Sequence, residues 1–285
     1  MAHNDSRGLA YGLATYAAWG LFPLYFALMK PAGPFEILAQ RLIWTVVLIT
    51  AILLCTKGFS ALRGLSVRTW GLMVCASVLI TSNWAIFIWA VTYHHVLDTA
   101  LGYFINPLMS VALGMLVFGE HLSRPQQIAL GLAAVAVGVL AIAAGSLPFI
   151  ALGLATTFAL YGVVKKVVPV EPRVSVLVEA SLAAPLALAY LLTGHCTLTG
   201  HGLWHTVLLI STGPVTAVTL MMFSAAAQRL PLVTMGLLQY LTPALQMAVG
   251  VFVGHEPMPG YRWAGFGLIW LALAVLTVSS LRRRS

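Results

Sequence analysis

Ten runs of about 20 mainly apolar residues, separated by short polar gaps, divide the chain. They lie near 8–28, 35–54, 70–92, 97–118, 126–144, 148–166, 174–192, 204–225, 232–253 and 261–280. A helix of about 20 residues crosses the hydrocarbon core of a bilayer. Inside hydrocarbon every backbone polar group needs an internal partner, which leaves helices and closed barrels as spanning structures. Barrel strands alternate in polarity, and these runs do not. The pattern therefore predicts an all-α integral membrane protein of ten transmembrane helices. The first run follows one basic residue, Arg7, and carries aromatic residues near its end. It is longer than a signal-peptide core and is expected to persist as a helix.

Composition sharpens this picture. Hydrophobic residues make up 60% of the chain and charged residues only 8%, against about 25% charged in soluble domains. So little charge cannot cover a water-facing globule, which excludes soluble enzymes and nucleic-acid-binding domains. Ten spans use roughly 200 of the residues, leaving no room for a separate soluble domain. The net charge of +8 is placed in the gaps. With the N-terminus inside, the inner segments hold Arg7, Lys57, Arg63, Arg68, Arg124, Lys165, Lys166, Arg173, Arg229 and Arg282 to Arg284, and the outer ones only Lys30 and Arg262. The positive-inside rule then puts both termini in the cytoplasm, as ten spans require, and the expected location is a bacterial inner membrane. Cys55, Cys75 and Cys196 form no CxxC pair, so no disulfide is expected. His201 and His205 are one helical turn apart but have no evident further ligand, so they are read as surface histidines. No metal or other cofactor is expected.

The chain also repeats itself. Gly12-Leu13-Ala14-Thr15 recurs as Gly153-Leu154-Ala155-Thr156, and Trp19-Gly20 is echoed by Tyr161-Gly162. At a constant offset of 136, Pro107, Ala112, Gly114, Glu120 and Gly131 match Pro243, Ala248, Gly250, Glu256 and Gly267. The expected halves are residues 1–145 and 146–285, with five helices each. An odd number makes the halves enter the membrane from opposite sides. Inverted repeats are a device for alternating access around a site at the midplane; a rigid duplicated scaffold or a channel are the other readings of the same duplication.

Asn83-Trp84-Ala85-Ile86-Phe87-Ile88-Trp89-Ala90-Val91, then His94-His95, then Leu101-Gly102-Tyr103-Phe104-Ile105-Asn106-Pro107-Leu108 closely resembles the signature of RarD-type permeases, in the EamA group of the drug/metabolite transporter superfamily. Trp19-Gly20, Gly119-Glu120, and Leu237-Leu238-Gln239-Tyr240 with Pro243 fit the same pattern. The resemblance covers nearly the whole chain. It implies two inverted five-helix repeats and export of small metabolites, with amino acids and toxic compounds as substrates of relatives. It also implies a cavity surrounded by helices 1, 3, 4, 6, 8 and 9, with 5 and 10 peripheral. Gly254-His255-Glu256-Pro257 departs from the family's more usual direct Gly-Glu pair.

Proline inside a membrane helix frees a backbone carbonyl, and such breaks persist where protein or a wet cavity satisfies it. Pro107 and Pro243 are therefore the expected helix-break or gating positions, and matched breaks point to a binding site. Around them Asn106 and Gln239 are candidates to hydrogen-bond a solute, and Tyr103 and Tyr240 to stack on it. Interhelical hydrogen bonds and interface aromatics are the competing reading. Asn83 and Trp84 lie deep in helix 3, and Trp19 and Tyr161 at matched places in helices 1 and 6 suit aromatic walls. Arg41 is the one basic residue well inside an apolar run, expected to be paired or snorkelling. Glu179 is the one deep carboxylate, read either as a proton carrier or as the partner of a polar group. Helix 5 is rich in small residues, which suits internal packing or a dimer seam; monomer and weak homodimer both stay open. The expected partners are a small-molecule substrate and the bilayer, not nucleic acid. No P-loop, serine elbow or HExxH motif is present, so the chain reads as a secondary transporter rather than an enzyme, with a gated channel-like facilitator as the alternative.

Overall fold

The computed structural model describes residues 6–56, 64–118, 124–194, 196–229 and 238–282. In these, ten helices follow in order: α1 (Ser6–Ala27), α2 (Pro34–Cys55), α3 (Val67–Thr92), α4 (Val96–Phe118), α5 (Arg124–Ala144), α6 (Phe149–Val167), α7 (Pro172–Leu192), α8 (Gly202–Arg229), α9 (Leu241–Phe252) and α10 (Gly260–Arg282). Nine match the apolar runs to within a few residues. The ninth run, expected over 232–253, differs. Its first part, 232–237, lies outside the described residues, as does Glu120. Leu238 and Gln239 are helical, Tyr240 is a turn, and α9 starts at Leu241. Pro243 then falls in the first turn of α9, where a backbone N–H has no partner within the helix and its absence costs little. Its counterpart Pro107 sits inside α4, which runs through it unbroken. Matched prolines thus produce one interruption, not two.

Among the described residues, five helical segments are long and apolar enough to cross a bilayer on length and composition alone: Pro34–Cys55, Val67–Thr92, Gln127–Ala144, Val174–Leu192 and Gly202–Phe223. Phe149–Lys165, Leu241–Phe252 and Gly260–Val275 are apolar but shorter. α1 contains Gly, Thr, Tyr and Trp, and it buries Gly12, Thr15, Tyr16 and Gly20. It packs on α8 and α9, so part of its surface meets protein instead of lipid. Elsewhere large apolar side chains such as Leu54, Ile142 and Leu186 stay exposed on the outside of the bundle. An apolar exterior around an apolar interior is the composition hydrocarbon demands.

The helices pack in related pairs. α4 lies on α6 as α9 lies on α1; α2 lies on α8 as α7 lies on α3; α1 lies on α8 as α6 lies on α3. The pairs α2 with α7, α4 with α9 and α5 with α10 each join a helix to its own counterpart. Adding five to every helix number carries this set onto itself. Close crossings rest on glycine. A Cβ on Gly102 would lie 2.9 Å from the Ala151 carbonyl oxygen, and one on Gly213 would lie 2.3 Å from the Trp44 carbonyl carbon. Only the bare backbone lets α4 meet α6, and α8 meet α2, at such range.

One end of the bundle is tied by carboxylates. Glu256, in the α9–α10 connection, accepts hydrogen bonds from the backbone N–H groups of Val96 (2.5 Å) and Leu97 (2.9 Å). These are orphan donors at the start of α4, where negative charge is favoured. Arg262 reaches Asp98 at 3.4 Å beside it. At the same end Glu36 accepts from the Thr197 N–H (2.5 Å) and hydroxyl (2.9 Å), and Thr197 Oγ1 lies 2.8 Å from His205 Nε2. Burial pushes the Glu256 carboxyl above the usual carboxylate range, although the two N–H donors pull it down. A carboxyl raised in the folded state binds its proton more tightly there than in the unfolded chain. Its contribution to stability is present below the unfolded value, about 4.3, and is lost as the pH rises through the folded one. Thermal midpoints measured across mildly acidic pH should therefore fall with rising pH, and Glu256→Gln should flatten that slope. A slope unchanged by Glu256→Gln would assign it to another group.

Candidate functional site: a central cavity

A cavity of about 670 Å³ lies among the helices, within the few-hundred to one-thousand range of small-molecule sites. Its wall is mainly apolar and aromatic: Tyr16, Trp19, Phe22, Trp84, Phe87, Tyr103, Phe158, Tyr161 and Phe223 all contribute. It draws on the C-terminal parts of α6 and α8 (Lys165, Ala225), the start of α7 (Glu171, Val176), and Gln239 just before α9. These residues share one end of the bundle. The carboxylate ties of Glu36 and Glu256 lie at the other.

Of the residues singled out from sequence, Trp19, Asn83, Trp84, Tyr103, Tyr161, Glu179, Gln239 and Pro243 line the cavity. Asn106, Pro107 and Tyr240 are not among its lining residues. Asn106 is buried, with Oδ1 lacking a partner among the described residues. Tyr240 packs against the apolar cluster of α4, α5, α6 and α10. The reason is rotational. Tyr103 and Asn106 are neighbours one turn apart on α4, yet only Tyr103 points inward. On the second half the break at Tyr240 turns its ring away while Gln239 keeps the cavity face.

Helices 2 and 7 correct a further expectation. They are part of the wall, through Arg41, Leu42, Ile49 and Ile52 of α2 and Val176, Glu179 and Ala180 of α7. α5 and α10 contribute no lining residue among those described and pack on one another.

The polar groups fall into three sets. Asn83 Nδ2 donates to the Leu154 carbonyl (3.0 Å) and Thr157 Oγ1 (2.9 Å) of α6, and its Oδ1 accepts from the Tyr103 hydroxyl (3.4 Å). One amide thereby joins α3, α6 and α4, each bond being worth about 1 kcal/mol or less in a membrane. Glu179 accepts from Lys165 Nζ (2.8 Å), Ser175 Oγ (2.5 Å) and the Tyr161 hydroxyl (2.9 Å). Lys165 also donates to Ser175. The deep carboxylate is thus the centre of an α6–α7 ion pair.

The third set is Arg41. Its guanidinium lies over the Trp84 ring at 4.1 Å from the centroid and 5.5 Å from that of Phe22. Nε donates to Thr216 Oγ1 at 2.9 Å. Among the described residues no carboxylate lies within ion-pairing distance of it. A charge at membrane depth costs roughly 2.5–3.5 kcal/mol, and a desolvated cation–π contact returns about 2 kcal/mol. Trp84 therefore offsets most of the cost without neutralising the charge. Sequence flagged Arg41 as an isolated charge but did not place it in the site. Gln246 was missed altogether. It is buried on the cavity wall, with Nε2 donating to the Trp19 carbonyl at 3.4 Å and Oε1 accepting from Thr99. Its signal was its place four residues after Thr242, on the same helical face. Thr81 also lines the cavity, with a buried hydroxyl oxygen lacking a partner among the described residues.

A polytopic bundle of apolar helices that encloses a solute-sized aromatic cavity, tied at one end, is an architecture suited to a membrane transporter. No protein-family model matches the chain. It is, however, 46% identical to Protein RarD of Streptomyces exfoliatus over 100% of this chain and 93% of that protein. It is 38% identical to Protein RarD of Escherichia coli K12, covering 98% of this chain and 97% of that one. It is also 38% identical to the uncharacterized transporter YojE of Bacillus subtilis 168, covering 99% and 97%. The chain belongs to the RarD-type permeases and is a multi-pass membrane transporter, consistent with the EamA group of the drug/metabolite transporter superfamily. A solved crystal structure at 18% identity shares the fold, with a TM-score of 0.65 over 99% of this chain and 100% of that one.

Proposed function

We propose that this permease is a secondary transporter that exports small metabolites across the bacterial inner membrane by alternating access. Its solutes are amino acids, aromatic or amphipathic, or related toxic compounds. The cavity carries the reading: it holds about 670 Å³, its wall is largely aromatic, and one end of the bundle is tied by Glu36 and Glu256. In the orientation given by the positive-inside count, both termini are cytoplasmic and the cavity's Lys165 end faces the cytoplasm. The fold is then in an inward-facing state, with the carboxylate ties as the outer seal. The packing set that maps onto itself when five is added to each helix number supports two inverted repeats, 1–145 and 146–285.

In this mechanism Trp19, Trp84, Tyr103, Tyr161 and Gln239 contact the solute. Asn83 holds Tyr103 in place. Asn106, Pro107 and Tyr240 shape the helix frame behind the wall, and Pro243 lets the chain bend ahead of α9. Glu179 and Lys165 close on each other within the cavity. If Glu179 also carries the coupled proton, Glu179→Gln abolishes the pH dependence of flux; a flux and pH profile unchanged by that substitution would remove the proton role.

The test is a flux screen of amino acids and aromatic drugs in proteoliposomes, with and without a pH gradient. Saturable flux with counterflow is expected. Gln239→Ala and Trp84→Ala should cut it at least about tenfold, equivalent to roughly 1.4 kcal/mol of lost contact, while Asn106→Ala should change it less. Normal flux in the first two variants would refute the cavity assignment. Non-saturable flux without counterflow would favour a gated facilitator.

A further inference from the structure

We infer that Arg41 recognises an anion, and that the transported solute carries a carboxylate or an equivalent single negative charge on an aromatic or branched apolar body. This rests on the cavity being the solute site. Three observations carry it. First, Arg41 lines the cavity and is only 5% exposed, yet no described carboxylate pairs with it. The cavity's other well-placed cation, Lys165, is already matched by Glu179. Glu171 also lines the cavity, but at its Lys165 end, so around Arg41 the wall presents a positive charge with no described carboxylate within ion-pairing distance.

Second, the guanidinium is held in a pose that leaves donors available. The guanidinium carbon lies over the Trp84 ring at 4.1 Å from its centroid, a contact that occupies no hydrogen-bond acceptor. A guanidinium has five N–H donors, and among the described residues only the one on Nε finds a hydrogen-bond acceptor, Thr216. The remaining edge is the part of the side chain that suits the paired oxygens of a carboxylate. Third, Thr81 stands on α3 one turn before Trp84, and its buried hydroxyl has no hydrogen-bond partner among the described residues. Residues three apart share a helix face, so an unsatisfied hydroxyl and the Arg41 platform lie on the same strip of wall. In an apolar surround both act more strongly on a charged ligand than they would in water. The aromatic remainder of the wall suits an apolar body.

The experiment is equilibrium binding to the purified full chain in detergent, read as ligand-induced shift of the thermal midpoint and quenching of tryptophan fluorescence. The probes are phenylacetate, phenylacetamide and phenethylamine, which share a body and differ in charge. Phenylacetate is expected to bind saturably and at least about tenfold more tightly than the other two. Arg41→Gln should erase that preference and Arg41→Lys, which keeps the charge, should keep part of it. If Arg41→Gln does not fold, the wild-type ranking and Arg41→Lys still decide. Equal binding of the amide or the amine, or full retention of phenylacetate binding by Arg41→Gln, would overturn the anion assignment while leaving the cavity as the solute site. Absence of binding by all three probes would also overturn it, and the transport reading would then be judged separately by the flux screen.

Discussion

Gly213→Ala is expected to destabilise the protein by about 3 kcal/mol, the upper end for overpacking, and to abolish flux. The added Cβ would sit 2.3 Å from the Trp44 carbonyl carbon, 2.4 Å from Trp44 Cβ and 2.6 Å from the Thr45 nitrogen. Two of these are backbone atoms, so no rotamer change relieves the overlap and α2 must part from α8. That movement also separates Arg41 from Thr216, three residues beyond Gly213, and so dismantles one side of the cavity. Two substitutions serve as controls. The three atoms nearest a Cβ on Gly265 belong to the Leu140 side chain, which can move, and a Cβ on Gly131 would meet nothing within 4 Å. Gly131→Ala should be neutral or slightly stabilising, because alanine favours a helix by up to about 1 kcal/mol over glycine. Thermal midpoints of the three purified variants check the ordering, and a Gly213→Ala protein as stable as wild type would refute the α2–α8 contact.

Glu179→Ala should cost about 3 kcal/mol, the lower end for breaking a buried ion pair. The lower end applies because Lys165 is 27% exposed, whereas Glu179 is 4% exposed. The substitution removes the carboxylate to which both the Lys165 ammonium and the Tyr161 hydroxyl donate, and leaves Lys165 the Ser175 hydroxyl. The double variant Lys165→Met with Glu179→Leu removes both charges and is expected to recover most of the stability, since a buried pair often gains little net energy over a packed apolar one. The thermal midpoints of the two variants separate the energies. Equal destabilisation in single and double variants would mean that the loss comes from the Ser175 and Tyr161 hydrogen bonds and not from charge. Flux by a stable double variant would further show that this pair is dispensable for moving the solute.

Much of the architecture was legible along the chain. Element number and extent followed from unbroken apolar runs, because hydrocarbon leaves the backbone no alternative to the helix. Much of the aromatic wall was legible too. Trp84 lies too deep for an interface belt, Trp19 and Tyr161 stand at matched places of helices 1 and 6, Tyr103 lies near the helix 4 proline, and each lines the cavity. Asn106 and Tyr240 show where such reading fails. Their residue types and their closeness to a proline suited a site, but which way each side chain points depends on a rotation of a few tens of degrees about its helix. The share of α2 and α7 in the wall was also hidden, since apolar wall and apolar lipid face look alike in sequence.

The linear sequence by itself determined that this protein lives in a bilayer, the ten helices seen among the described residues, the ends of nine of them to within a few residues, and the weak duplication along the chain. Those properties depend on local composition and on the cost of unsatisfied backbone in hydrocarbon. Tertiary structure alone decided which lone charges meet. It set Glu179 against Lys165, Glu256 against the start of α4, and Arg41 upon Trp84 with no described carboxylate opposite. Such pairings join residues up to 160 positions apart, and they exist only once glycine crossings bring the helices close enough for a side chain to span the gap.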